Sequence, residues 1–339
     1  RHSKKDIDRC YEALKNAPLE CYKDVDARLG KLLSDLGDDT LFIVMSDHGH
    51  GGLDGLLHTN LWLLSQGWMK AKGNLSSRIK WLLHKIGVTP ENFYKAAFMM
   101  GMGRGVQGVI RSRKGAVRQV LNNLFVSFDD IDWGKTKAYS HGAIGPIFIN
   151  LKGREPNGIV EPGEEYEEVV NSLISDLKSI RHPETGDLLI EKVFKREEMY
   201  SGAHLEKAPD LMFFTRDLRY VNYGEADFIS RRWLTASHNG LSGHHRLEGI
   251  LAMSGPGVNN ADIHGANIVD VAPTVLTVLG LPVPDHMDGN MLTGAFSSEF
   301  NDSHPVRKEA WQGSENKDHF DYSEEEAEAV SKRLADLGY

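Results

Sequence analysis

Leu41-Phe42-Ile43-Val44-Met45-Ser46-Asp47-His48-Gly49 is where the fold first becomes legible. From Thr40 to Met45 every residue is β-branched or large and apolar, a composition that suits a strand buried on both faces. The polar residues begin where such a strand must end, and ligands of open α/β sheets bind outside the carboxyl ends of the strands. Asp47 offers a hard carboxylate oxygen, His48 offers a borderline imidazole nitrogen, and Gly49 lets the backbone turn sharply beside them. The pattern reads as part of a divalent-metal site; an aspartate capping a turn beside an ordinary loop histidine is the alternative.

A second cluster favours the metal reading. Ser242-Gly243-His244-His245-Arg246 precedes another apolar run, Gly249-Ile250-Leu251-Ala252-Met253-Ser254, which ends in Gly255-Pro256-Gly257. Two histidine-bearing loops, each beside a core strand, can converge on one rim of a sheet although most of the chain lies between them.

Further motifs accompany these two. They are Asp132-Trp133 with Thr136, Ala138 and Tyr139; Asn150-Leu151-Lys152-Gly153-Arg154-Glu155-Pro156 with Gly158 and Val160; and Ala208-Pro209-Asp210-Leu211. After the Gly243 cluster come Ile268-Val269-Asp270-Val271-Ala272-Pro273-Thr274, Leu281-Pro282 and Met287-Asp288-Gly289, then Tyr322-Ser323-Glu324-Glu325-Glu326 and Leu337-Gly338-Tyr339. Taken in this order, the chain resembles the type I phosphodiesterase/nucleotide pyrophosphatase family of the alkaline phosphatase superfamily over most of its length.

That resemblance implies a three-layer α/β/α sandwich with a mostly parallel central sheet. It implies two divalent metals, zinc with manganese as the alternative, which hydrolyse phosphodiester or nucleotide pyrophosphate bonds through a Thr or Ser nucleophile. Asp47 and His48 would hold the metal that also meets the nucleophile, and His245, the histidine of the Gly-x-His pattern, would hold the other. His244 would be a pocket or solvent residue, and Arg246 could steady an anionic substrate or form a surface salt bridge. The nucleophile and the remaining ligands are expected upstream of Arg1, which makes this stretch a carboxyl-terminal part with little activity alone; His2 lacks the aspartate needed to replace them. Phosphonate or sulfate ester hydrolysis, phosphoglycerate mutase chemistry and a catalytically dead binding module stay open as alternatives.

Composition agrees with a globular enzyme: 339 residues, 40% hydrophobic and 26% charged, enough for a sizeable core. A net charge of −9 argues against general nucleic-acid binding, and the resemblance implies a small phosphodiester or nucleotide as the partner. Cys10 and Cys21 make no Cys-x-x-Cys pair and read as packed free thiols. No apolar stretch is long enough to span a membrane. The expected location is cytoplasmic, with a leader or anchor left to sequence preceding Arg1.

Along the chain, residues 19–36 place Tyr22, Val25, Leu29, Leu32, Leu33 and Leu36 on one helical face. Composition changes after Trp62. Residues 70–118 carry eleven lysines and arginines against the single acid Glu91, with aromatics and the glycines Gly101, Gly103, Gly105 and Gly108. Amphipathic helices joined by a Gly-rich turn suit this segment. Its Gly-x-Gly-x-x-Gly is not a dinucleotide fingerprint, because no strand leads into it. The expected organisation is a catalytic core over 1–65 and 125–298, a basic helical cap over 66–124 and an acidic tail over 299–339. The cap is expected to select anionic or bulky substrates, with an anionic membrane surface as the competing role.

Downstream, strands are expected over 145–151 and 209–215, with Pro146 against an interior place for the start of the first. Helices are expected over 166–180 and 270–279, and a last helix at the Ser323–Glu326 capping box. His50 could support the site from behind or lie in a surface loop, whereas His141, His204, His238, His264 and His286 lack ligand spacing and read as structural or exposed. No internal repeat emerges.

Overall fold

The computed structural model describes residues 15–99, 124–222, 228–236 and 242–311. They form a mixed α/β protein with eight α-helices and several small sheets, divided into two compact units, residues 1–47 with 250–339 and residues 48–249. The first unit opens the chain with α1 (Ala17–Asp35) and β1 (Phe42–Met45). The second contributes β2 (Gly49–Gly52), β3 (Gly55–Leu57), α2 (Thr59–Gln66), α3 (Leu75–Lys85), α4 (Pro90–Met99), β4 (Ala138–Tyr139) and β5 (Pro146–Ile149). It continues with α5 (Glu164–Lys178), β6 (Ile190–Lys195), α6 (Arg196–Met199), β7 (Leu211–Thr215), β8 (Tyr220–Asn222), β9 (Leu234–Ala236) and β10 (Gly243–Arg246). The chain then returns to the first unit with β11 (Leu251–Ser254), α7 (Val271–Val278), β12 (Val283–Pro284), α8 (Ser298–Ser303) and β13 (Lys308–Glu309).

In the first unit, β1 and β11 pair antiparallel, with Phe42 opposite Ser254 and Met45 opposite Leu251. β1 is half-buried along most of its length and Met45 is exposed, not buried on both faces, because the described pair is only two strands wide. α1 forms as expected, yet Leu19, Tyr22, Val25, Leu32, Leu33 and Leu36 are exposed and the helix buries no residue. The apolar stripe is real; no described element covers it. Cys21 lies on this helix as an exposed free thiol, not a packed one, and Cys10 is outside the described residues. The small core gathers Met291, Ala295 and Phe296 with Leu41, Met253 and Phe300. α7 carries Pro273 in its first turns, and Gly280 at φ +68° takes the left-handed conformation that ends such helices.

The second unit holds a four-stranded sheet in the order β4-β5-β7-β6, antiparallel throughout, and a three-stranded sheet β8-β3-β9. Of the strand pairings described, only β3 with β8 and β12 with β13 are parallel, so these strands do not make one mostly parallel central sheet. The reason is visible between β4 and β5, which a short turn joins through Gly142 and Gly145, both at positive φ; parallel neighbours need a long crossover. Pro146 heads β5, and as expected the strand is not interior there: up to Ile147 it pairs only with β7, while β4 meets Phe148 and Ile149. α5 closes the core by burying Val169, Val170, Leu173 and Leu177. The capping-box helix at 323–326, the Gly-rich turn at 101–108 and His238 lie outside the described residues.

One carboxylate ties this unit together. Asp210, just before β7, is fully buried in its side chain. It accepts bonds from the Ile149 amide at 2.6 Å, from both Arg154 Nη atoms at 2.8 and 2.5 Å, from the Tyr166 hydroxyl at 2.9 Å and from Arg196 at 3.5 Å. Two strands, the turn after β5, α5 and the start of α6 thus converge on one buried charge. Removing one partner of a buried pair leaves the other uncompensated. Asp210→Asn is expected to cost about 3–5 kcal/mol in urea unfolding, while Lys135→Ala, which breaks an exposed pair with Asp132, leaves the midpoint in place. An unchanged midpoint for Asp210→Asn would contradict this assignment.

α3 attaches to the same unit by its polar residues. Asn74 caps it by accepting the Ser77 amide at 2.8 Å, Ser77 and Lys80 donate to the buried Asp130 at 2.7 and 3.1 Å, and His84 bonds the Phe228 carbonyl at 3.0 Å. Burial holds the His84 imidazole below the ordinary histidine range and Arg231 adds to the effect, against the bonds to the Phe228 and Ser230 carbonyls. A histidine with a lowered folded-state pKa is protonated more readily when unfolded. Its stabilising contribution is therefore present above about pH 6.5 and is lost as pH falls below it. His84→Gln, which keeps a donor for Phe228, is expected to flatten the decline of melting temperature between pH 6.5 and 5. Parallel profiles for the two proteins would refute the account.

Candidate metal centre

The second unit builds its histidine cluster on a glycine-rich strand pair. β2 and β10 run antiparallel, placing Gly243 opposite Gly52, His244 opposite Gly51, His245 opposite His50 and Arg246 opposite Gly49. Close approach requires Gly49, where a Cβ would overlap the Glu248 carbonyl, while a Cβ at Gly51 would meet Arg246 Nε at 2.6 Å and displace that guanidinium. Arg246 fills the room they leave. Its guanidinium donates to the carbonyls of Leu218 at 3.1 Å, His244 at 3.3 Å and His245 at 2.9 Å, and to that of Gly52. It is a backbone clamp for β10, and among the described residues it forms no salt bridge.

His48 and His245 meet face to face, with ring centroids 3.8 Å apart and planes 13° from parallel. His244 extends the column at 4.8 Å from His245, and His50 stands at 6.4 Å from His245, tilted by 48°. His48 Nδ1 lies 2.8 Å from the Gly49 carbonyl. A carbonyl only accepts, so Nδ1 carries the proton in that bond and Nε2 is the acceptor nitrogen of the neutral ring. His244 is half-buried and lines a small pocket with Phe213, Tyr220, Asn222 and His245. Its Nδ1 is buried and has no hydrogen-bond partner among the described residues. Burial pushes its pKa down, and the neighbouring His245, Arg246 and His50 push it the same way, against a bond with the His245 backbone.

Asp47 is the last residue of the first unit and precedes His48 in the chain; its side chain is exposed. Ser46 braces that strand end, its amide donating to the Ile250 carbonyl at 3.0 Å and its Oγ accepting from the Ile250 amide at 2.9 Å. Ser46 belongs to the motif as read, but nothing in the pattern marks this bracing role. Among the described residues no group of three or more His, Cys, Asp or Glu side chains is arranged to hold a metal ion. Imidazole is a donor type that divalent cations of borderline softness take, and the Gly49 bond leaves His48 with Nε2 as its acceptor nitrogen.

A cavity of about 680 Å³ lies in the same unit. Lys95, Arg231 and Arg232 bring positive charge to its wall, and Tyr220 and Trp233 bring flat aromatic surface. Tyr220 also lines the small pocket beside His244 and His245. The cavity's acids are partly neutralised: Asp54 takes two bonds from Arg219, at 2.7 and 2.9 Å, and Glu91 pairs with Lys95.

Neither the curated proteins nor the solved structures include a match to this chain. The family model for type I phosphodiesterase / nucleotide pyrophosphatase matches residues 15–240, taking in Asp47 and His48 and stopping before the Gly243–Arg246 strand. With most of its residues inside that match, the chain belongs to the type I phosphodiesterase/nucleotide pyrophosphatase family of the alkaline phosphatase superfamily.

Proposed function

We propose that the protein is a metal-dependent hydrolase of phosphodiester or nucleotide pyrophosphate bonds, in which Asp47 and His48 hold one divalent ion and His245 holds a second. The observation that carries this reading is the parallel stacking of His48 and His245 at 3.8 Å. The lone pair of an imidazole lies in its own ring plane, so His48 and His245 would each serve a separate ion, and a pair of divalent ions would supply the charge stabilisation of a two-metal phosphoryl site. Such ions, when bound, lower the pKa of the attacking group and stabilise charge on the departing oxygen.

The residues of this chain set up that arrangement. The Gly49 carbonyl fixes the His48 tautomer, Arg246 holds the carbonyl edge of β10, and Ser46 fixes the strand end that leads into Asp47. A Thr or Ser nucleophile on the amino-terminal side of Asp47 follows from the family's motif order. The wider proposal keeps a three-layer α/β/α core with a helical cap. The cavity bearing Arg231, Arg232 and Trp233 suits the part of an anionic substrate that does not react, since it combines charge with stacking surface.

Zinc content by elemental analysis and turnover of bis(p-nitrophenyl) phosphate, measured on the same full-length preparations, test the assignment. Asp47→Ala, His48→Ala and His245→Ala are each expected to lower both by about tenfold or more, since loss of even an indirect metal partner has effects of about 10–100-fold. His244→Ala is expected to retain its metal. Full zinc in His245→Ala with a deficit in His244→Ala would move the ligand one residue toward the amino terminus.

A further inference from the structure

α3 is amphipathic in the reverse sense. The face it turns to its own unit carries Ser77, Lys80, Trp81 and His84, held by Asp130 and the Phe228 carbonyl and by an edge contact of Trp81 with Phe228 at 5.3 Å. The opposite side presents Leu75, Ile79, Leu82 and, at the cap, Ile86, which are 75%, 50%, 62% and 68% exposed. Spacings of four, three and four residues put these side chains in one stripe about 16 Å long. A helix normally hides such a stripe and shows its polar side, so a contiguous aliphatic patch on the outside marks a contact surface.

The charge beside the stripe identifies what it meets. No Asp or Glu occurs between residues 55 and 90, in a chain whose net charge is −9. Arg78 and Lys85 flank the stripe as exposed residues that make no ion pair among the described residues, and Lys70 and Lys72 are exposed just before the helix. We propose that α3 lies flat on an anionic membrane surface, its four aliphatic side chains entering the headgroup boundary while Arg78 and Lys85 reach anionic headgroups. A second copy of the chain suits the stripe less well. An antiparallel helix pair would bring Arg78 of one copy against Lys85 of the other, and the seam is shorter than two heptads. Among the described residues no helix is long and apolar enough to cross a membrane; the contact proposed for α3 is an interfacial one. Trp81 packs inward and takes no part.

The test is co-sedimentation of the full chain with vesicles of phosphatidylcholine containing 30% phosphatidylserine, and with vesicles of phosphatidylcholine alone. Binding to the anionic vesicles is expected, weakened by high salt as surface electrostatics require, with little binding to the neutral ones. Ile79→Ser/Leu82→Ser is expected to reduce the partition coefficient at least about tenfold, in keeping with the aliphatic area withdrawn. Arg78→Glu/Lys85→Glu is expected to abolish the preference for anionic vesicles. All four positions are exposed, and unchanged circular dichroism establishes that the variants fold. Wild-type protein that leaves anionic vesicles in the supernatant overturns the proposal, as does binding indifferent to the stripe substitutions. A wild-type dimer by light scattering that Ile79→Ser/Leu82→Ser converts to monomer, without vesicle binding, would assign the stripe to a second copy instead.

Discussion

Close pairing of β2 with β10 is the constraint on which the histidine cluster depends. It places the backbone of Gly49 against the Glu248 carbonyl, a distance that excludes a side chain there, and that of Gly51 against the Arg246 guanidinium, which a side chain would displace. Residues far apart in sequence, His48 and His245, become stacked neighbours only because this pairing holds. Arg246 completes it by spending its donors on main-chain carbonyls, which ties β10 to β2 at Gly52 and to the 3₁₀ turn at Leu218. The cluster is therefore built from backbone fit, with its imidazoles carried as cargo on a glycine frame.

The Asp210 hub plays the corresponding part in the rest of that unit. Its partners Ile149, Arg154 and Tyr166 lie 61, 56 and 44 residues before it in the chain. Asn150, beside them, donates its amide to the carbonyls of Trp133, Thr136 and Asn157. Trp133, Thr136, Asn150, Arg154 and Asp210 are residues of the motifs by which the chain resembles its family, and here they act on structure, satisfying buried polar groups that would otherwise be costly. Burial and the Asp210 charge also push the Tyr166 hydroxyl far above its ordinary pKa, so it donates to Asp210 across the working pH range.

Much of this was legible in the sequence, and the remainder fails for identifiable reasons. The strand before Asp47, the helix over Glu164–Lys178 and the helix over Val271–Val278 follow from apolar periodicity, and all three form. Periodicity gives no partner, however: the stripe of α1 reads as core and is exposed, and β1 reads as doubly buried and is half-buried. Strand direction was misjudged because a family-wide expectation of parallel order carries no information on short turns such as the one through Gly142 and Gly145. That Arg246 donates to main-chain carbonyls could not be read from sequence, since a guanidinium there does not reveal what will meet it. The glycine frame escaped because a Gly-His-Gly-Gly strand has no hydrophobic pattern to detect. α3 shows the same limit in reverse, its apolar stripe lying on the side away from its own unit.

The central claim is that His48 and His245 serve two adjacent ions and not one. Anomalous diffraction at the zinc edge from crystals of the full-length enzyme grown with zinc tests it most directly. The account predicts two peaks about 3.5–4 Å apart, one within bonding distance of His48 and Asp47 and the other of His245. A single peak shared by both imidazoles, or a peak on His244 with none on His245, would contradict it.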